Sequence, residues 1–115
     1  MLSVKETDIL ECMIEFCKRI EEKMASVSSK EAFEKDKDLN DIVCFNVMQI
    51  GELAGKLSKE FIKNYNQQPW GDIVGMRNII VHGYWSIEEK EVWQCASTEI
   101  KPLREYCEFI LQENK

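Results

Sequence analysis

A chain of 115 residues, 44% hydrophobic and 31% charged, carries enough apolar material for one core, which sets the expectation of a single domain over residues 1–115. Its formal charge of −6 argues against a broad basic face for duplex DNA, while permitting a locally basic cleft or a partner with a basic surface. No apolar run approaches a membrane span, the start Met1-Leu2-Ser3-Val4-Lys5 is not a secretory leader, and five cysteines (12, 17, 44, 95, 107) without a CxxC pair fit small buried thiols in a reducing cytoplasm better than disulfides or a zinc site.

The expected elements are all helices, because no segment alternates with period two. The first runs from about Val4 to Met24, with Ile9, Met13, Phe16, Cys17, Ile20 and Met24 recurring at three- and four-residue steps. A serine- and charge-rich link from Ala25 to Asp38 leaves room for a short helical turn after Ser28-Ser29. A second long helix starts at Lys37-Asp38-Leu39 and reaches about Leu57. One of its faces carries Leu39, Val43, Val47, Ile50, Leu53, Ala54 and Leu57, and the opposite face carries Cys44, Phe45, Met48, Gly51 and Gly55. A helix apolar on both sides is packed on both sides, so this is the expected central helix.

Ser58 caps a short helix bearing Phe61 and Ile62, and Asn64 to Gln68 is a polar loop. Pro69 opens the next helix and Gly83 is its expected stop. Ser86-Ile87-Glu88-Glu89 has the pattern of a capping box starting the last helix, in which Pro102 should produce a kink. The expected architecture is an all-α, up-and-down bundle of four to five helices.

Beginning in the helix that Pro69 opens, Gly75-Met76-Arg77-Asn78-Ile79-Ile80-Val81-His82-Gly83-Tyr84-Trp85 holds the single histidine of the chain. Trp70, Ile73, Val74, Ile80 and Val81 form an apolar stripe with Arg77 in its middle. A charge in such a seam needs a partner, and Glu52 and Glu99, both set among apolar positions, are the candidates. Gly71, Gly75, Asn78 and His82 share a neighbouring face whose two glycines let a backbone or a ligand come close. That face either packs tightly inside the bundle or forms a groove holding Asn78 and His82, with Arg77 at its edge. Arg77 and His82 lie about 7.5 Å apart along the axis and about 140° apart around it, within reach of one phosphate for long side chains. Attack by an RNA 2′-hydroxyl needs a base, an acid and a cation near the phosphate. One chain supplies one imidazole, so an enzyme of this kind implies a symmetric dimer. No metal is required, and no clustered Asp/His set offers one.

Ile50-Gly51-Glu52, Pro69-Trp70, Met76-Arg77-Asn78, His82-Gly83-Tyr84 and Trp93 together resemble the HEPN superfamily, and the Arg-x4-His-x-Tyr form resembles its HepT-like toxin branch. The resemblance covers nearly the whole chain. It implies a helical homodimer with an RNA-cleaving cleft between protomers, a metal-independent endoribonuclease needing no cofactor. It implies catalytic roles for Arg77 and His82 with Asn78 beside them; Glu52, as a candidate partner of Arg77, would support the site. It also implies a toxin whose antitoxin is a minimal nucleotidyltransferase that attaches AMP to Tyr84. A second expectation stands beside it: a non-catalytic helical subunit that binds a nucleotidyltransferase and a nucleotide, favoured by the acidic charge and the lack of lysines near the motif.

Overall fold

The computed structural model describes residues 1–115. Most helices begin where the sequence supplies a cap. Helix α1 (Val4–Met24) opens on a reciprocal pair: Ser3 Oγ accepts from the Glu6 backbone N–H at 3.0 Å, and the Ser3 backbone N–H donates to Glu6 Oε1 at 3.0 Å. Ser29 caps the short α2 (Lys30–Lys35), which delivers Phe33 to the core. Asp36 caps α3 (Lys37–Ala54), and Ser58 caps α4 (Lys59–Asn64). Helix α5 runs Trp70–Gly83, with Pro69 one residue ahead of its first turn. Helices α6 (Glu89–Gln94) and α7 (Ile100–Glu113) are joined by a π-helical turn over Cys95–Glu99.

The apolar stripes decide how these rods stack. Leu10, Met13, Cys17 and Ile20 of α1 meet Val43, Val47 and Ile50 of α3 and Ile100, Leu103, Cys107 and Ile110 of α7 in one continuous core. Helix α3 packs against α1 on one side and α5 on the other, as its two apolar faces require, and α7 lies along α1. Arg104 of α7 ties that last pair from the outside, donating to Glu21 Oε2 of α1 at 2.5 Å and to Glu108 at 2.6 Å. The result is an all-α bundle of four long rods with three short helices and no strand. No helix is long and apolar enough to cross a membrane. Helix α5 is the outermost rod, fully burying only Trp70, Ile73 and Ile80 and leaving the side of Gly71, Asn78 and His82 open.

Two expectations, at Ser86 and Phe45, are corrected, and two, at Gly83 and Pro102, gain detail. The last helix does not start from a Ser86 capping box: Glu88 is the cap residue, without a side-chain bond. Ser86 instead belongs to a 3-10 turn, Tyr84–Ser86, and its hydroxyl donates back to the Gly83 carbonyl at 2.8 Å. A hydroxyl that finds a carbonyl three residues upstream no longer serves the helix downstream. Gly83 ends α5 as expected, though without the left-handed conformation common at glycine stops, its φ being −152°. At Pro102 the expected disturbance takes a definite local form. Its missing N–H orphans the Thr98 carbonyl, and the chain answers with the π-helical turn just upstream. There Ser97 and Thr98 hydroxyls donate to the carbonyls of Trp93 and Gln94, each at 2.6 Å. Finally, Phe45, expected on a packed face of α3, is 52% exposed.

Candidate functional site

Whether Arg77 is displayed or buried depends on how closely α5 approaches α3. The contact is made possible by Gly51: a β-carbon there would overlap Arg77 Cβ and come within 2.9 Å of the Ile73 carbonyl oxygen. With only hydrogen at position 51, the Arg77 side chain starts flush against α3 and runs along it to Glu52, the next residue of that helix. Its Nε and Nη2 both pair with Glu52 Oε1. Its Nη1 donates to Asn78 Oδ1 at 2.7 Å. Of the two carboxylates that the sequence offered as partners, Glu52 is taken. Glu99 lies apart, in the cleft of the π-helical turn with Cys95 and Asp72.

This arrangement aims the guanidinium. Both side chains of the ion pair are partly exposed, 28% for Arg77 and 42% for Glu52. Part of the fork therefore still faces water, where an anion can add to the N–H groups not held by Glu52 and Asn78. Asn78, having spent its oxygen on Arg77, keeps its amide N–H groups for an incoming acceptor. Lys56 and Gly55 border the same shallow hollow between α3 and α5. Lys56 thus supplies a second cation that sequence inspection missed. It follows Glu52 by four residues, a same-face helical spacing that could have revealed it.

His82 is exposed on the last turn of α5, with no hydrogen bond or ion pair to the rest of the chain. It stands one turn beyond Asn78, on the open side of the helix. No contact within the chain joins Arg77 to His82, so a single copy displays the two groups side by side without closing them on each other. Gly71 and Gly75 share that open side, and a β-carbon at either would meet nothing within 4 Å. The glycine face is therefore not an internal packing surface. Within the chain, the glycine that permits close approach of two helices is Gly51. Ile79 and Val81, 46% and 41% exposed, flank the face on either side of His82. Tyr84 and Trp85 follow in the 3-10 turn, both exposed. No group of three His, Cys, Asp or Glu side chains converges as metal ligands would.

Comparison with known proteins gives this geometry its context. The model of the family described as "Ribonuclease HepT-like" matches residues 13–110, a span that contains Gly51, Glu52 and the whole of α5. A protein of Caldanaerobacter subterraneus subsp. tengcongensis named "Putative RNase" is 30% identical over 92% of this chain and 94% of its own length. One of Methanocaldococcus jannaschii with the same name is 29% identical over 92% of this chain and 84% of its own. A "Probable ribonuclease HepT" of Thermococcus cleftensis is 25% identical over 84% and 87%. No solved structure matches the chain. A helical bundle whose outermost rod displays arginine, asparagine and histidine, matched along nearly its full length by that model, belongs to the HepT-like ribonuclease family of the HEPN superfamily.

Proposed function

We propose that the chain is an endoribonuclease working as a homodimer, with Arg77, Asn78 and His82 at a cleft between two copies. The observation that carries this is the open side of α5, where a polar, proton-transferring group and a guanidinium stand beside a surface stripped by Gly71 and Gly75. Such a face lets a second α5 come close around a two-fold axis. The partner's His82 then supplies the second imidazole that one chain lacks. In this reading one histidine takes the proton of the RNA 2′-hydroxyl as its oxygen attacks phosphorus. The bond to the 5′-oxygen breaks, and the other imidazolium protonates that leaving oxygen, giving a 2′,3′-cyclic phosphate and a 5′-hydroxyl. Arg77 stabilises the charge on the phosphoryl oxygens, with Glu52 holding the guanidinium in place. The scheme draws its cation and its acid–base groups from side chains and calls for no metal.

Incubation of purified protein with RNA in EDTA tests the proposal. Cleavage is expected to persist in the chelator and to fall about 10²–10⁴-fold in His82→Ala. The exposed position of His82 predicts unchanged folding in that variant. Cleavage undiminished without His82 would remove the mechanism. The second reading, a non-catalytic subunit that binds a nucleotidyltransferase and a nucleotide, draws on the net charge of −6 and on Glu52 occupying Arg77. Binding of RNA or nucleotide with no cleavage product would favour it.

The same reading extends to control. Tyr84 is 41% exposed and two residues beyond His82, so its hydroxyl is open to another protein at the mouth of the cleft. A minimal nucleotidyltransferase acting as antitoxin would attach AMP there, and the added bulk and negative charge would exclude RNA. Intact mass after incubation with such an enzyme and ATP should show adenylyl additions on the wild type and none on Tyr84→Phe. An equal gain in the phenylalanine variant would place the modification elsewhere.

A further inference from the structure

A second cleft lies beyond the motif, where the start of α3 faces the turn after α5. It has a volume of about 270 Å³ and is walled by Lys37, Asn40 and Asp41 on one side and by Tyr84, Trp85 and Glu89 on the other. That is just under the ~300–1,000 Å³ of small-molecule pockets, room for one ring system rather than a strand. Lys37, Asp41 and Cys44 follow at steps of four and three, and Asn40 stands four before Cys44, so these side chains leave α3 on one face.

The chemistry of the cleft is specific. Asn40 is only 7% exposed. Its Nδ2 donates to the carbonyls of Phe33 and Asp36, at 2.7 and 2.9 Å, while its Oδ1 has no hydrogen-bond partner. Those two donated bonds fix the Asn40 side chain beneath the cleft and hold this face of α3 in place. Asp41 takes part in no ion pair, whereas Glu89 lies 4.0 Å from the Lys37 ammonium across the cleft mouth. Trp85, 85% exposed, presents an indole with nothing stacked on it, beside the ring of Tyr84. Aromatic faces of this kind hold nucleobases by stacking, and the acceptors around them choose the base.

We infer that this cleft is a base-recognition subsite for guanine, two to three residues beyond His82, with Trp85 as stacking platform and Asp41 as reader. The inference rests on the ribonuclease reading for its substrate class. Guanine alone among the four RNA bases places two donors, N1–H and N2–H2, side by side, a pair that matches the two oxygens of one carboxylate. Its O6, next to N1, needs a donor, and Lys37 stands one helical turn from Asp41. Uracil, with a single N–H between two carbonyls, would set an acceptor against each side of that carboxylate.

The test is binding of the four nucleoside 3′-monophosphates to the full-length protein, with affinities from calorimetry and location from the indole N–H resonances of Trp85, Trp70 and Trp93. Guanosine 3′-monophosphate is expected to bind at least about tenfold more tightly than the uridine compound. It should shift the Trp85 resonance and leave that of Trp70, which is buried and donates to the Tyr65 carbonyl. Trp85→Ala should weaken binding about tenfold by loss of stacking. Asp41→Asn should erase the guanine preference. Equal affinity for all four nucleotides, preference for another base, or no binding at millimolar concentration overturns the inference. Guanosine binding by a protein that leaves RNA intact keeps the subsite and removes the ribonuclease reading. Cleavage without base preference does the reverse.

Discussion

Glycines at three positions of this molecule have opposite values, and the difference is measurable. Gly51 sits where a β-carbon would meet Arg77 and the Ile73 carbonyl, so Gly51→Ala must push α5 away from α3. Overpacking of this kind costs about 1–3 kcal/mol, and it would also shift Arg77 off Glu52. Gly71, in the first turn of α5, and Gly75, in its interior, look onto open space. Alanine there removes glycine's excess unfolded-state freedom, a gain of about 0.5–1 kcal/mol. Urea denaturation should therefore show Gly51→Ala less stable and Gly75→Ala more stable than the wild type. Equal effects at the two positions would contradict the packing described. At the same scale, the Arg77–Glu52 pair is half in water, so its stabilising contribution is modest, about 1 kcal/mol or less. Its value lies in orientation. Glu52→Gln should thus lower stability little and lower the rate of RNA cleavage much more, a split that parallel denaturation and cleavage assays would expose.

At the scale of elements, α5 is an unusual rod because it is apolar on more sides than the chain covers. Three of its residues are buried, while Ile79 and Val81 are left to solvent around His82. Next to it on α3, Ile42 and Phe45 are 40% and 52% exposed. These side chains mark the face through which the proposed dimer would form. Gly75→Leu separates that role from folding: the leucine meets nothing within its own chain but fills the space a second α5 needs. Sedimentation at micromolar concentration should show a dimeric wild type and a weakened association in Gly75→Leu, with unchanged helicity. A monomeric wild type would defeat the proposal. The last helix illustrates a different point. Pro102 was readable as a disturbance, yet its form depended on Ser97 and Thr98, whose hydroxyls occupy upstream carbonyls through the π-helical turn.

For the whole molecule, the buried cysteines make the core sensitive to alkali. Burial, first among the causes, pushes the thiols of Cys44 up to about 11 and of Cys95 and Cys107 up to about 12, from an ordinary 9.0, and raises Cys17 further. A thiol whose ionisation is suppressed in the folded state binds its proton more tightly there than in the unfolded chain. Its contribution is complete below about pH 9 and is lost as pH rises toward the folded value. Each thiol then removes about 1.4 kcal/mol per pH unit. The urea midpoint should be flat from neutrality to about pH 8.5 and fall steeply between about 9 and 11. A midpoint that held through that window would show that these thiols are not buried. In the native state below it, only Cys12, which is exposed, should react readily with an alkylating agent.

Local rules carried much of this protein into view. Ser3, Ser29 and Ser58 announced helix starts because a short polar side chain satisfies the first free N–H groups wherever it stands. The three- and four-residue steps in α1, α3 and α7 announced the core because helical period is a property of the backbone. The order Arg77, Asn78, His82, Tyr84 could likewise be read directly, with the family it resembles. What the sequence left open depended on which helix lies against which. Glu52 and Glu99 were equal as partners for Arg77 until α3, rather than the π-helical turn, was found at its side. The tight glycine proved to be Gly51 rather than Gly71 or Gly75, because the side of a helix that is crowded is set by its neighbour. The cleft of Asn40, Asp41 and Trp85 exists because α3 and α5 run in opposite directions, bringing residues more than forty positions apart to one end. Periodicity places a side chain on a face; only the packing of one helix on the next decides what that face meets.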